Sequence, residues 1–394
     1  MRIARLTLDQ FRVYQRLELE LSPGGLRISG RNASGKTSLI EAIALASTTR
    51  SPRSRNDREV VRWESGEEYG VPPYARIEAE TTDSGRNHAV SISLEQVDRA
   101  GEPVYRKRYR LDGRDSRAHD VVGVVKTVLF SPEDVQLIAG PPAERRRHAD
   151  ILLSQIDRAY LVALAGYGRV LSQRNGLLRS FARERVDYRS PRASNELGFW
   201  DQRLVEHGAY IVMQRQRYLT HLAELMSARS AHLIDQAILH IEYDASIALP
   251  SMVPDTDRLE HVRQRYLEAL VERRVEEFRR GNTIVGPHRD DVRFVIDGRD
   301  LAAYGSRGQQ RLAVIAYKLA ESDVITAETG ERPILLLDDV LSELDEMHRD
   351  MLLGAVAKSG SQVIVTSTDD DLLRHEALSE IPLARVETGE LTFV

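Results

Sequence analysis

The sequence predicts an α/β fold in which the two ends of the chain combine into one domain and a helical segment is inserted between them. Apolar and polar side chains alternate through residues 1–30 and 74–130, as they do in half-buried strands. From Pro141–Pro142 to about Arg280, leucines recur at helical spacing and charged residues fill the other face. Strand and helix patterns then alternate again. Because neither end contains a complete sheet, we expect the two ends to share one.

Each element follows from the same patterns. A helix is predicted from about Thr37 to Ala46, and another after Gly308. The predicted strands are Arg2–Leu8, Leu17–Leu21, Leu26–Ser29, Ala75–Ala79, Ala89–Leu94, Val124–Phe130, Val292–Ile296, Ile334–Leu337 and Gln362–Thr366. The predicted domains are an N-terminal part at 1–140, an insertion of short antiparallel helices at 141–281, and a C-terminal part at 282–394.

Composition excludes several classes of protein. The 394 residues contain no cysteine, which rules out disulfides and thiolate metal sites and favours a reducing cytoplasm. No apolar run approaches the roughly 20 residues of a membrane span, so we expect no membrane contact. The net charge of -5 argues against a general polyanion binder, although basic residues cluster locally.

One motif predicts phosphate binding. Gly30-Arg31-Asn32-Ala33-Ser34-Gly35-Lys36-Thr37 matches G-x-x-x-x-G-K-[ST] and lies between a predicted strand and a predicted helix, the context that the motif requires. Backbone N–H groups of such a loop and the helix N-terminus bind phosphate oxygens. We expect Lys36 to reach the β- and γ-phosphates and the Thr37 hydroxyl to bind Mg²⁺. ATP and Mg²⁺ are the predicted cofactors; the alternative, a chance glycine-rich turn, fits the placement poorly.

A second motif supplies carboxylates. Ile334-Leu335-Leu336-Leu337 is an apolar strand that ends in Asp338-Asp339. A phosphate-binding loop needs a metal-side carboxylate at such a strand end. Asp338 is the expected Mg²⁺ residue, and Asp339 is the candidate general base for the attacking water. The alternative is a pair of ordinary acids, one of them capping the next helix.

Two further segments resemble those of ABC ATPases. Ser306-Arg307-Gly308-Gln309 resembles the ABC signature, and Leu341–Asp345 resembles the D-loop, which makes Asp345 a nucleotide-site candidate. A signature is a second phosphate-binding helix N-terminus. In ABC heads it lies too far from its own phosphate-binding loop to share one nucleotide, so ATP is held between two copies. We therefore expect an ATP-dependent homodimer that hydrolysis releases.

The order of the motifs is similar to that of the RecF family, an ABC/SMC-type group, over nearly the whole chain. The segments that carry the resemblance are Leu8–Tyr14, Leu39–Ile43, Thr49–Arg53, Leu129–Asp134, Pro142–Arg147, Gly286–Asp291 and Leu337–Asp345. The resemblance implies an ABC/SMC-like head assembled from both chain ends, and it adds Arg12 and Ser38 to the candidate nucleotide contacts.

The same resemblance implies a role in gap repair, replication recovery and SOS induction. The expected activity is a weak, DNA-stimulated ATPase. The expected partners are DNA (single-stranded linear, duplex or gapped), RecR and, indirectly, RecA. Candidate DNA contacts are the basic residues Arg50, Arg53, Arg55, Arg145, Arg146 and Arg147; a third basic cluster runs from Arg106 to Arg117.

Departures from the family pattern also carry expectations. Ala33 replaces a usual glycine, which is tolerable if its φ is negative. Arg307 replaces the second residue of the signature, and no glutamine occupies the Q-loop position near Ser131. Ser367 or Thr368 stands where ABC heads have the H-loop histidine, so we expect slow hydrolysis that serves as a switch.

Three alternatives stay open. A chromosome-structural ATPase of the SMC kind is disfavoured because about 140 helical residues form at most a short arm. An ABC transporter subunit is disfavoured by the missing histidine and by Asp339. A nucleotide-gated DNA scaffold without useful hydrolysis is the third. For the segment His288–Asp291, a buried ion-pair network is favoured over a relay.

Overall fold

The structure, a computed structural model, describes residues 1–54, 56–83, 85–99, 101–230, 239–248 and 255–394. These residues form two compact units. The first contains 1–135 and 311–394, so it takes in both ends of the chain, and the described residues of the second come from 136–310. The units divide at residues 136 and 310, whereas the predicted boundaries are 140 and 281, because residues 282–310 group with the insertion.

The strands are, in chain order, β1 Arg2–Phe11, β2 Tyr14–Glu20, β3 Gly25–Ser29, β4 Tyr74–Asp83, β5 Arg86–Arg99, β6 Glu102–Leu111, β7 Arg114–Ser116, β8 Thr127–Phe130, β9 Leu239–Asp244, β10 Asp291–Ile296, β11 Arg299–Asp300, β12 Ile334–Asp338, β13 Val363–Ser367, β14 Leu383–Glu387 and β15 Glu390–Phe393. The helices are α1 Lys36–Thr48, α2 Ala118–Val121, α3 Gln136–Ala139, α4 Pro142–Ile156, α5 Arg158–Glu184, α6 Pro191–Ser230, α7 Asp255–Glu272, α8 Arg274–Arg280, α9 Leu301–Tyr304, α10 Arg307–Thr329 and α11 Glu346–Ser359.

The first unit contains two sheets. One is antiparallel, with the order β2-β1-β4-β5-β6-β7. The other has the order β15-β14-β3-β13-β12-β8 and is parallel except for β15. In the second sheet β3 lies between β13 and β14, so strands from the two ends of the chain pair directly, as the sequence predicts.

Helix α1 is central to the first unit. Its apolar residues Leu39, Ile40 and Ile43 are fully or almost fully buried in one cluster. The same cluster contains side chains of both sheets, Ile77 of β4 and Ile364 of β13 among them. The helix therefore starts at the parallel sheet and is held by both sheets.

The second unit differs from the predicted all-helical insertion. Strand β9 lies within it and pairs antiparallel with β10 in the sheet β11-β10-β9. The prediction that 141–281 is only helical is therefore wrong at Leu239–Asp244, a short segment whose partner strand lies some fifty residues along the chain. Strand β8 also starts later than predicted, at Thr127. Residues 123 and 124 form a turn, with Gly123 at a φ of 81° and the N–H of Val124 donating to the carbonyl oxygen of Val121 at 3.1 Å.

A buried ion cluster, the Arg174 cluster, holds the helices of the second unit. The fully buried guanidinium of Arg174 donates to Asp201 at 2.8 Å, Thr283 at 2.7 Å and Glu277 at 2.6 Å. It joins α5, α6 and α8. Among the described residues, no helix is long and apolar enough to cross a membrane.

Candidate nucleotide site

The phosphate-binding loop connects β3 to α1. Gly30 and Gly35 have φ angles of 153° and 123°, which only glycine adopts easily. A Cβ on Gly30 would lie 2.4 Å from the carbonyl oxygen of Val386, and one on Gly35 would lie 2.8 Å from a methyl of Val13. Both glycines are therefore required by geometry as well as by the motif.

Lys36 lies across this loop. Its Nζ donates to the carbonyl oxygens of Gly30 at 2.7 Å and Arg31 at 3.0 Å. Burial lowers the pKa of Lys36 from its ordinary value, while the charges of Asp339 and Asp338 raise it. In the described part of the chain no side chain caps α1, so its first N–H groups are available to an anion.

Asp338, at the end of the apolar strand β12 that forms the Walker B motif, meets the loop. Thr37 Oγ1 donates to Asp338 Oδ1 at 2.9 Å, although the two residues are about 300 positions apart in the sequence. Burial raises the pKa of Asp338, and the hydrogen bonds from Thr37 and Thr366 lower it. A hydroxyl beside a carboxylate is an oxygen pair of the kind that binds Mg²⁺. Thr37 and Asp338, predicted separately as metal residues, thus lie together.

Two buried polar atoms near this pair have no hydrogen-bond partner among the described residues. They are Ser34 Oγ in the loop and Asp339 Oδ1 after β12. Buried polar groups are nearly always paired, so an unpaired group requires an explanation. A phosphate and its hydrated metal ion would supply partners for both, and the residues present therefore fit ATP with Mg²⁺.

Ala33 departs from its expected conformation. Its φ is 63°, so the condition that φ be negative is not met. The left-handed conformation costs a non-glycine residue about 1–2 kcal/mol. The loop carries this strain at the position where the family usually has glycine.

The guanidinium of Arg12 already pairs with other protein groups. It forms a bidentate pair with the buried carboxylate of Glu41, at 2.8 and 2.7 Å, and donates to the carbonyl oxygen of Glu59 at 2.6 Å. It also donates to Ser54. Arg12 therefore fixes the segment after α1 to that helix, and a direct nucleotide contact stays a prediction.

Tyr14 is a contributor that the sequence reasoning missed. This fully buried side chain donates its hydroxyl to the carbonyl oxygen of Gly35 at 2.9 Å. It supports the loop from the side of β2. The residue falls in the Leu8–Tyr14 segment that resembles the family opening, which is the signal that could have identified it.

The signature residues belong to the second unit. The backbone N–H of Ser306 donates to Gln309 Oε1 at 2.9 Å, and the N–H of Gln309 donates to Ser306 Oγ at 3.2 Å. This reciprocal pair is a capping box at the start of α10. Ser306, Arg307 and Gly308 are exposed.

The predicted D-loop residue caps a helix of the first unit. Asp345 accepts from the N–H of His348 at 3.0 Å at the start of α11, and its other oxygen lies 2.7 Å from Nδ1 of the same histidine. The backbone and side-chain hydrogen bonds of His348 lower the pKa of Asp345. Its side chain is 65% exposed. Arg311 holds the preceding turn by pairing with Glu343 and donating to its carbonyl oxygen at 2.8 Å.

The candidate DNA contacts divide into available and unavailable residues. The prediction for Arg145 is wrong because its buried guanidinium pairs with both oxygens of Asp291, at 2.7 and 2.8 Å. Arg146 is half-buried and donates to the carbonyl oxygen of Asp290 at 2.7 Å. Arg50, Arg53 and Arg147 are exposed, whereas Arg55 lies outside the described residues.

A regularly spaced basic row lies on β6. Arg106, Arg108 and Arg110, here called the β6 arginines, are exposed at every second position of the strand. Such residues lie about 6.7 Å apart on one face. Arg108 and Arg110 pair with exposed acids at 3.5 and 2.9 Å. Exposed pairs of this kind stabilise little, so these arginines can exchange their partners for phosphates.

Residues 288–291 form a buried network in the second unit. Asp290, which is fully buried, accepts from the hydroxyl of Tyr243 and from the N–H of Ser246, the latter at 2.8 Å. Arg215 lies 3.6 Å from the same carboxylate. A buried ion-pair network is therefore present at this segment, and the predicted role of holding the head and the insertion together stays a prediction.

The sheet order, the loop between β3 and α1 and the two aspartates at the end of β12 define an ABC-type ATPase head. Residues 2–388 match the family described as RecF/RecN/SMC N terminal domain. A Smc head domain from Pyrococcus furiosus, solved with an extended coiled coil, has a TM-score of 0.54 at 16% identity and shares the fold alone; 100% of this chain and 95% of that chain are covered. The predicted fold class is confirmed.

Comparison with similar proteins identifies the family within this class. The DNA replication and repair protein RecF of Thermomicrobium roseum is 46% identical over 402 residues, with 99% of each chain covered. The RecF of Chloroflexus aurantiacus is 41% identical over 396 residues, also with 99% of each covered. A solved structure of the recombination mediator protein RecF-ATPrS in the RecFOR pathway has a TM-score of 0.85 at 28% identity, covering 100% of this chain and 98% of that chain. The chain belongs to the RecF family.

Proposed function

We propose that this protein is an ATP-controlled DNA-binding protein of replication and recombinational repair that acts in the cytoplasm. The observation that carries the proposal is the hydrogen bond of 2.9 Å between Thr37 and Asp338, which joins the phosphate-binding loop to the Walker B strand. The names of the relatives support the DNA role. A solved relative described as RecF-ATP, 28% identical with a TM-score of 0.84, supports the nucleotide.

The proposed site binds ATP through the loop amides, Lys36 and the first turn of α1. Lys36 would exchange its two carbonyl partners for phosphate oxygens. Thr37 and Asp338 would hold Mg²⁺, which when bound neutralises phosphate charge. Asp339 would orient the attacking water through its unpaired carboxylate oxygen. Slow hydrolysis is expected because Ser367 or Thr368, and not a histidine, stands at the H-loop position at the end of β13.

The proposed switch is a homodimer. An exposed signature at the start of α10 offers a helix N-terminus to the ATP of a second copy. Bound ATP would join two heads, and its hydrolysis would release them. Sedimentation at micromolar protein tests this step: a monomer in saturating ATP and Mg²⁺ would contradict it, and Ser306→Arg is expected to remain monomeric.

The proposed DNA contact is to the backbone. The β6 arginines form a regular cationic row without interleaved exposed aromatics, which suits phosphates more than bases. Gapped DNA or a junction of single and double strands is the proposed substrate, and RecR the proposed partner in promoting RecA loading. The relatives' names and the RecFOR pathway of the solved relative support this assignment.

Binding to gapped, linear duplex and single-stranded DNA, with ATP, ADP or no nucleotide at two salt concentrations, tests the proposal. We expect ATP-dependent binding that Lys36→Ala abolishes. Nucleotide-independent binding to every substrate would overturn the switch. Asp339→Asn separates the scaffold alternative, because unchanged DNA loading without turnover would favour a scaffold.

A further inference from the structure

Strand β13 lies between the two strands that carry the nucleotide motifs. Its residue Thr366 is in register with Ile28 of β3 on one side and with Asp338 of β12 on the other. Thr366 is fully buried. Since the carboxyl ends of parallel strands meet at one edge of a sheet, this threonine lies centrally beneath the loop and the carboxylates.

The hydroxyl of Thr366 contacts both Walker B aspartates. Oγ1 lies 3.0 Å from Asp338 Oδ1, and the backbone N–H of Asp339 donates to the same Oγ1 at 3.0 Å. A hydroxyl has one proton to donate and two lone pairs to accept. It therefore donates to the carboxylate of Asp338 and accepts from the amide of Asp339.

These two hydrogen bonds fix the backbone of Asp339 and the carboxylate of Asp338. Asp339 has a φ of 52°, a left-handed conformation that is costly for a non-glycine residue. Its amide bond to Thr366 stabilises that conformation. Asp338 has two hydroxyl donors, Thr37 and Thr366, both on Oδ1, so Thr366 keeps the carboxylate in place when Thr37 turns to a ligand.

We propose that Thr366 is a positioning residue that holds both carboxylates in the geometry required by bound ATP and its metal ion. This inference rests on the proposed nucleotide function. The inference concerns a different residue from Ser367 and Thr368, which the sequence places at the H-loop position. Ser367 Oγ accepts from the N–H of Asp369 at 3.0 Å, and Thr368 is exposed.

Thr366→Val removes the hydroxyl with little change of shape, and Thr366→Ser retains it. Binding of a fluorescent ATP analogue is measured with Mg²⁺ and with EDTA, and steady-state hydrolysis is measured alongside. For Thr366→Val we expect affinity in EDTA within about twofold of the parent. We expect the gain in affinity from Mg²⁺ to fall about tenfold or more, and kcat to fall about tenfold to hundredfold.

Matched variants separate positioning from folding. Thr366→Ser is expected to restore both quantities to within about threefold. Thr220→Val, at an exposed threonine of α6 whose hydroxyl donates to the carbonyl oxygen of Gln216 at 2.8 Å, is expected to change neither. If Thr366→Val does not fold, Thr366→Ala takes its place with the same expected losses. Parental Mg²⁺ dependence and kcat in a folded hydroxyl-free variant would overturn the inference. A parent protein that binds no ATP would instead refute the proposed function.

Discussion

The partly buried, neutral ring of His288 should make the protein less stable to unfolding in acid. Its Nε2 lies 3.1 Å from the carbonyl oxygen of Thr283, which can only accept, so this nitrogen carries the proton of the neutral ring. Its Nδ1 lies 2.7 Å from the hydroxyl of Tyr167, which then donates. Burial lowers the pKa of His288 to about 4, and the charges of Arg289 and Arg146 act in the same direction.

The sign and size of the effect follow from these contacts. An unfolded histidine has a pKa of about 6.5, so between about pH 6.5 and 4 the unfolded state binds the additional proton. The stability from neutral His288 is therefore complete above about pH 6.5 and decreases as the pH falls. A difference of about 2.5 pH units at 1.36 kcal/mol per unit gives a loss of about 3 kcal/mol by pH 4.

Urea unfolding at a series of pH values measures this loss. We expect the free energy of unfolding of the parent to fall by about 3 kcal/mol more than that of His288→Gln, whose amide stays neutral. His240→Gln, at a ring that is 37% exposed in the same unit, is the matched control. Parallel curves for the parent and His288→Gln would refute the reasoning.

Three further predictions concern stability, nucleotide and DNA. Arg174→Met leaves buried carboxylates without their cation, so urea unfolding should show a loss of about 3–5 kcal/mol, partly recovered by adding Glu277→Gln; a loss below about 1 kcal/mol would contradict this. Tyr14→Phe should weaken ATP binding about threefold to tenfold in calorimetry, because Gly35 loses its hydroxyl partner; equal affinity would show that this contact does not shape the loop. Changing the β6 arginines to Gln should reduce the slope of log affinity for duplex DNA against log salt by about 3 and leave ATP binding intact, and an unchanged slope would exclude the row as a contact.

Local motifs predict the placement of this candidate site because the loop and the strand end each depend on consecutive residues. The pattern from Gly30 to Thr37 defines a turn and a helix start, and the run before Asp338 defines a buried strand with a carboxylate at its end. The two motifs are also expected to lie together, because a phosphate-binding loop needs a metal-side carboxylate to bind one nucleotide with its metal ion. Their contact through Thr37 matches this expectation.

Contacts that depend on register between distant strands are not encoded in such patterns. Thr366 is one of several hydroxyl residues at the end of β13, and only the pairing with β12 selects it over Ser367 and Thr368. The basic run at Arg145 gives no sign that its first arginine is buried against Asp291. Strand β9 was missed for the same reason, because its partner β10 lies across the intervening helices.

Strand β3 pairs with strands from the C-terminal part of the chain, so the nucleotide site forms only when the two chain ends have assembled. The strand that precedes the phosphate-binding loop is hydrogen-bonded to β13 and β14, both from the last 32 residues of the chain. The hydroxyl that holds Asp338 comes from β13 as well. Neither the loop's supporting sheet nor its metal-side carboxylate can therefore form from the N-terminal part alone. If ATP binds only the assembled head, it stabilises that head by mass action. The nucleotide would then favour pairing of the two chain ends in addition to its proposed control of the switch.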